Sequence, residues 1–427
     1  MAQGALPGFR DFYPEQFAER AYIMGVWRSV LRRYAFVEYD GPPLEPLDLY
    51  RKKSGDEIVA QLYAFTDKGD REVALRPEMT PTFARMVAAR ANALRKPVRW
   101  FSVPQLFRYE RQQKGRLREH FQLNADIVGE AGVTADAELV ALALDVMREL
   151  GLDSTQVVAR VSDRRLLQAL LTSAGVTPDS LDRVYGIIDK LGREPEDVSR
   201  QKLVEAVGTA DIASRVLSLL PITDLDDLAE QTRGDESVSP HIERMREYLS
   251  YVAALGFGDW VRLDLSIVRG LAYYTGIVFE LFDTAGEFRA ICGGGRYDTL
   301  LETLGGVDLP ALGFGMGDVV LGELLRKRNL FPETAPRTDF WVAADDDVPV
   351  TEVMSVAAQL RRRGGSVEYA LKHQQLSRQL KAASAAGADN AVLLKHGELS
   401  EGRVTIKDLR TGSERAMPLP DLLNSMK

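Results

Sequence analysis

The stretch Leu106-Phe107-Arg108-Tyr109-Glu110-Arg111-Gln112-Gln113-Lys114-Gly115-Arg116-Leu117-Arg118-Glu119-His120-Phe121-Gln122 decides how this chain is read. It has the pattern of a strand, a basic turn with one glycine, and a returning strand. By the two-residue period of a strand, Arg108 and Glu110 share one face while Phe107 and Tyr109 share the other. Basic groups gathered at one end of a hairpin suit a polyphosphate or a nucleic-acid end, because guanidinium forks match phosphate oxygens. A solvated hairpin with no ligand has the same composition.

Two further clusters lie downstream. Asp264-Leu265-Ser266-Ile267-Val268-Arg269-Gly270-Leu271-Ala272-Tyr273-Tyr274-Thr275-Gly276 sets an arginine beside a glycine and a tyrosine pair. That could place a charge and a phenol in one pocket, or end a strand in an aromatic core pair. In Cys292-Gly293-Gly294-Gly295-Arg296-Tyr297-Asp298, three glycines either admit a flat ligand to the backbone or mark a bulged, tightly packed strand. No phosphate loop, dinucleotide glycine fingerprint or hydrolase elbow occurs, so any nucleotide must be held by other means.

The chain's 427 residues suggest two or three domains at roughly 150 residues each. Cys292 is the only cysteine, which excludes an internal disulfide and a cysteine zinc cluster. No run approaches ~20 apolar residues, and Met1 to Pro7 lacks a secretory pattern. A reducing cytoplasm or organelle matrix is therefore expected. The net charge of −8 argues against an all-round positive coat, yet charge is uneven. Arg85 to Arg118 holds ten Lys/Arg against Glu110 alone, whereas Asp179 to Glu236 holds fourteen acids against seven bases. Arg361 to Lys381 is basic again.

Hydrophobic spacing predicts helices over 15–34, 80–93 and 318–327, and another after Thr134, which is the expected cap. Strands are expected over 62–65, 73–75, 98–103, 105–109, 122–128, 261–268, 278–281 and 288–292. Residues from about 160 to 255 read as helical and polar. Phe331 to Pro336 reads as a linker, followed by a βαβαβ rhythm that suggests a small α/β domain.

Taken in order, these motifs resemble histidyl-tRNA synthetase, a class II aminoacyl-tRNA synthetase family, over nearly the whole chain. Gly8-Phe9-Arg10-Asp11-Phe12-Tyr13-Pro14 and Leu75-Arg76-Pro77-Glu78-Met79-Thr80 open the match. The hairpin resembles class II motif 2, the two downstream clusters resemble the histidine-specific signatures, and Gly313-Phe314-Gly315-Met316-Gly317 stands where motif 3 belongs. The resemblance implies an α+β fold. It expects an antiparallel six-stranded catalytic sheet with helices over 1–336, a mostly helical insertion at about 165–255, and an α/β anticodon-binding domain over 337–427.

It also implies histidine, ATP and histidine tRNA as partners, nucleotide-associated Mg²⁺, no protein-held metal site, a homodimer, no membrane, and the cytoplasm. By the same resemblance, Arg108 and Arg269 are the catalytic residues flanking the α-phosphate. Arg116 would reach the γ-phosphate, Glu110 the adenosine, and Gln113 the acceptor end of tRNA. Glu78, Thr80 and Gln122 would take the ammonium group of histidine; Asp126 and Tyr274, with Tyr273 beside it, would take the imidazole.

The chain departs from the family pattern at Asp126 (usually glutamate), Ala272 (usually aspartate), Gln112 (often proline) and Val320 (usually an arginine on the ATP γ-phosphate). The Ala272 and motif 3 forms resemble plant-organelle-type enzymes. Losing the arginine predicts a substitute, Arg296 or a metal ion. The altered ATP contacts also suit an alternative: a non-catalytic, histidine-sensing regulatory subunit of ATP phosphoribosyltransferase. Such subunits usually lack the C-terminal domain.

Overall fold

The computed structural model describes residues 4–54, 61–109, 117–191, 194–268, 273–332 and 338–426. The chain divides into two compact units, Met1–Phe331 and Pro332–Lys427.

The first unit is built on a nine-stranded sheet and a three-stranded one. In chain order, β1 is Val37–Glu38, β2 Leu44–Pro46, β3 Ala64–Thr66, β4 Glu72–Leu75, β5 Val98–Ser102, β6 Gln105–Phe107 and β7 Glu119–Val128. They are followed by β8 Val157–Asp163, β9 Val261–Leu263, β10 Ile277–Asp283, β11 Cys292–Arg296 and β12 Ala311–Gly317. The large sheet runs β1-β5-β7-β12-β11-β10-β8-β9, with β6 paired to β7; the small one runs β2-β4-β3. Six successive strands, β5 to β8 in spatial order, are antiparallel. The six-stranded antiparallel sheet is thus the middle of a wider one, closed at each end by a short parallel strand. The hairpin is present as β6 against β7, with Leu106 opposite His120.

The two-residue period sorts β7 by face. Leu123, Ala125 and Ile127 enter the main core, against helices Pro14–Arg33, Val133–Glu149 and Asp318–Lys327. Helix Pro14–Arg33 forms where expected, with proline in its first turn, Arg32 and Arg33 in its last, and Ile23, Trp27, Val30 and Leu31 buried. Helices from Arg164–Ser173 to Ser239–Ala254 fill the polar stretch, and Leu166, Val184, Leu203, Val216, Leu228 and Met245 join the same core.

Three expectations need correction. The helix expected after a Thr134 cap begins two residues earlier, at Val133 with Gly132 in the cap position, leaving Thr134 exposed in the first turn. The strand expected over 288–292 is instead Cys292–Arg296, so the glycine run is itself a central strand. Its apolar signal is weak because facing backbones occupy the space side chains would fill. A Cβ on Gly294 would lie 2.5 Å from the Gly313 carbonyl oxygen, and one on Gly295 2.7 Å from that of Ile277. The strand expected over 261–268 stops at Leu263, where Asp264 Oδ1 accepts from the Ser266 amide at 3.0 Å and makes a turn.

The second unit has a five-stranded sheet ordered β14-β13-β15-β16-β17. Its strands are β13 Phe340–Ala344, β14 Val367–Tyr369, β15 Asn390–Leu394, β16 Arg403–Asp408 and β17 Glu414–Pro418. The first three are parallel, joined by helices Val350–Arg362 and Leu376–Ala385, and the last two add antiparallel.

Candidate functional site

Opposite the helical core, β7 presents Gln122, Asn124 and Asp126 to a cavity. The same cavity is lined by Glu78, Thr80, Arg108, Tyr273, Tyr274, Gly293, Tyr297, Gly313, Phe314 and Gly315. Seven residues singled out from the sequence (Glu78, Thr80, Arg108, Gln122, Asp126, Tyr273 and Tyr274) therefore meet, although they come from four separate chain segments. Glu110, Gln113, Arg116 and Arg269 lie outside the described residues.

Each wall has a local cause. Arg76 is buried and donates to Asp40 at 2.8 Å, the Gly41 carbonyl at 2.7 Å and the Gln105 carbonyl at 3.1 Å. It pins the chain just before Pro77 and Glu78, and helix Thr80–Ala88 starts at the cavity edge. Arg108 donates from Nε to the Pro77 carbonyl at 3.0 Å, which orients its guanidinium beside that turn.

The floor depends on the glycines of β12. Gly313 pairs with Asp126 and Gly315 with Asn124. A Cβ on Gly313 would fall 2.1 Å from Asp126 Oδ1, and one on Gly315 would lie 2.9 Å from the Gln122 amide. Both glycines therefore clear volume that polar side chains of the next strand occupy.

Asp126 is buried, and Tyr297 donates its hydroxyl to Oδ1. Burial pushes the Asp126 carboxyl up to about 7, and the Tyr297 hydrogen bond opposes this. The stability effect has a definite sign. Between the unfolded carboxyl range and about 7, the folded state holds a proton that the unfolded state has lost, so this group's contribution falls as pH rises through that window. Asp126→Asn, which cannot ionise, should therefore gain stability relative to the parent between pH 5 and pH 8. Urea titrations at the two values check this; a constant difference would mean that Asp126 is already ionised at pH 5.

Tyr273 and Tyr274 pack at a 40° tilt with ring centroids 4.7 Å apart, and Tyr273 meets Tyr297 edge-on at 6.0 Å. Among the lining groups, Tyr297 and Asn124 had no role assigned from sequence. The period of β7 points to Asn124 once Gln122 and Asp126 are chosen, whereas the Tyr297 partnership crosses 171 residues of chain.

At the site's edge, burial and then the Arg108 and Arg10 guanidiniums push His120 down to about 3, so it is neutral near pH 7. Arg10 joins the N-terminal segment to the root of the hairpin. Its Nε donates to Glu119 at 2.6 Å and its terminal nitrogen to Asp318 at 2.9 Å. The other Asp318 oxygen accepts from the Phe121 amide at 2.9 Å.

The expected substitution of Arg296 for the missing motif 3 arginine is overturned. Arg296 is completely buried and donates to Asp136, Asp298 and the carbonyls of Glu130 and Gly132. Its donors are committed to the interior, so it cannot reach a nucleotide. Val320 is half-buried and packs on the main core. A larger cavity of about 280 Å³ between the N-terminal segment and helix Asp318–Lys327 contains none of the seven residues.

Residues 8–317 match a family model described as histidyl-tRNA synthetase, and residues 342–427 match one described as anticodon binding domain. A histidine–tRNA ligase of Opitutus terrae is 44% identical over 419 residues, covering 97% of this chain and 95% of that protein. A chloroplastic/mitochondrial histidine–tRNA ligase of Arabidopsis thaliana is 40% identical over 415 residues, covering 97% and 85%. The crystal structure of histidyl-tRNA synthetase from Nostoc sp. PCC 7120 has the same fold. Its TM-score is 0.83 at 23% identity, over 100% of this chain and 99% of that one.

Proposed function

The chain belongs to the histidyl-tRNA synthetase family, and from that premise we propose that it activates histidine with ATP to histidyl-adenylate and transfers the histidyl group to the 3′ end of histidine tRNA. The observation that carries this reading is the single cavity where Glu78, Thr80, Gln122, Asp126, Tyr273 and Tyr274 gather with Arg108.

The chemistry follows from the charges. A histidine carboxylate oxygen bonds to the α-phosphorus of ATP, and the bond to the β-phosphate oxygen breaks to release pyrophosphate. The nucleophile is already ionised, so the site needs no general base. It must bring two anions together and offset charge on the transferring phosphorus. Arg108 takes that task, with Arg269 as its proposed companion. Arg116 and Glu110 are assigned to the γ-phosphate and adenosine, and Gln113 to the acceptor end of tRNA.

Glu78, Thr80 and Gln122 receive the substrate ammonium. Asp126, held by Tyr297, faces the imidazole beside Tyr273 and Tyr274. An apolar analogue would leave these polar groups unpaired, which is a strong basis for rejection. Mg²⁺ is proposed to ride on the nucleotide, taking most of its ligands from ATP phosphates and water, because this ion dehydrates reluctantly and is commonly held through substrate phosphates. The protein is proposed to act as a homodimer in the cytoplasm; no helix among the described residues is long and apolar enough to cross a membrane.

The regulatory reading is not favoured. The relatives at 40% and 44% identity are histidine–tRNA ligases over nearly their whole length, and the C-terminal residues match the anticodon-binding model. Histidine-dependent ATP–pyrophosphate exchange by the purified chain, followed by charging of histidine tRNA, tests the proposal. Histidine binding with no exchange would overturn it.

Gly313→Ala should raise the KM for histidine at least about tenfold by displacing the Asp126 carboxylate, and lower stability by about 1–3 kcal/mol through overpacking. Exchange kinetics and urea unfolding measure the two. An unchanged KM would show that Asp126 does not contact the substrate.

A further inference from the structure

Helix Arg164–Ser173 starts directly after β8, with Asp163 at its cap accepting from the Arg165 amide at 2.8 Å. Both of its first two side chains are half-buried and turn back onto carbonyls of a distant segment, the Arg165 side chain keeping 41% of its surface exposed. Arg164 donates to the Val268 carbonyl at 3.1 Å, and its own amide donates to the Gly276 carbonyl at 3.0 Å. Arg165 donates from Nε to the Thr275 carbonyl at 2.9 Å and from its terminal nitrogen to Asp298 Oδ2 at 3.1 Å. The gripped carbonyls stand on either side of the Tyr273-Tyr274 pair.

Arg165 also ties two walls of the cavity together. Thr275 follows Tyr274, and Asp298 follows Tyr297. Those two segments are cross-linked as well, since the Asp298 amide donates to Thr275 Oγ1 at 3.0 Å and the Thr275 amide to the Arg296 carbonyl at 2.8 Å. Behind them, Arg164 lies over the Tyr185 ring at 4.2 Å, so the next helix backs the grip. A planar fork can serve two acceptors at once, which an ammonium group on a flexible stem does poorly.

We propose that Arg164 and Arg165 are positioning residues of the histidine site: from the first helix of the helical region they hold Tyr273 and Tyr274 in register with Tyr297 and Asp126. The inference rests on reading the cavity as the histidine site. It makes the helical region a support for amino-acid recognition. Sub-ångström placement matters because a misplacement of about 1 Å can cost about 100-fold in rate.

The test uses the full chain with Arg165→Gln, Arg165→Lys and Arg164→Gln. In pyrophosphate exchange, Arg165→Gln should raise the KM for histidine about tenfold or more, with the KM for ATP changing less than about threefold. Arg165→Lys should fall between the parent and Arg165→Gln. Hydrogen exchange without substrate should be faster than in the parent in the peptides holding Thr275 and Asp298. A parent-like histidine KM in Arg165→Gln overturns the proposal. So does an activity loss that follows the loss of thermal stability while those peptides keep their protection. If Arg165→Gln does not fold, Arg165→Lys is judged by the same two criteria. If the parent itself shows no exchange activity, the functional reading fails, and hydrogen exchange alone decides whether the arginines hold these segments.

Discussion

Arg296→Met is expected to destabilise the first unit by about 3–5 kcal/mol, the scale for breaking a buried pair by removing one partner. The arginine is completely buried, and its closest bond, to Asp136, is 2.6 Å. Asp136 is buried as well, in the first turn of helix Val133–Glu149. Removing the guanidinium leaves that carboxylate without its main partner and takes a donor from the carbonyls of Glu130 and Gly132. Methionine restores volume but supplies no donor. Urea unfolding of the single variant and of Arg296→Met with Asp136→Leu separates the causes. The double variant should recover most of the loss, because an apolar pair needs no partners. A single-variant loss below about 1 kcal/mol would mean that water reaches this pair.

Arg108→Ala should lower histidine-dependent exchange by about 10²–10³-fold, or about 2.7–4 kcal/mol of transition-state stabilisation. Stability should change little, because Arg108 is half-buried and its bond to the Pro77 carbonyl spans 3.0 Å at the cavity edge. Arg108→Lys should recover only part of the rate, since a point charge cannot fork onto two phosphate oxygens. A second readout comes from His120, which burial and then Arg108 hold low. Without the guanidinium, the His120 midpoint should rise, as proton NMR would record. Full activity in Arg108→Ala would remove this residue from the mechanism.

Much of the site could be read from sequence because its elements obey local rules. Gln122 and Asp126 were implied by the family resemblance, and they share one face of β7 by its two-residue period. The hairpin, helix Pro14–Arg33 and helix Asp318–Lys327 formed where hydrophobic spacing put them. The misreadings have a shared origin. The expected strand over 288–292 falls short of Cys292–Arg296 because the glycines carry no apolar pattern, only space for β10 and β12; the tightly packed strand is the reading of the glycine run that the structure bears out. Thr134 has the residue type of a cap, but Glu130 Oε1 accepts from the Gly132 amide at 2.7 Å and organises the turn two residues earlier. Of the ten basic residues from Arg85 to Arg118, at least two are engaged within the protein, since Arg85 pairs with Glu45 at 2.7 Å and Arg99 with Glu138 at 2.5 Å.

What the sequence determined alone was the family, the main helices, the alternating rhythm of the C-terminal unit, and the chemical types at the cavity, because those depend on residue identity and spacing along one chain. The central strand β8, Val157–Asp163, was not among the expected strands. Tertiary structure decided which charges are available to a ligand. Arg296 and Arg108 look equally basic in a string of letters, yet one is sealed against Asp136 and the other lines the cavity. It also decided that Gly313 makes room for Asp126, and that arginines at residues 164 and 165 grip carbonyls more than a hundred residues away. Such relations depend on excluded volume and on where a donor finds its acceptor, and both are set only when distant segments pack together.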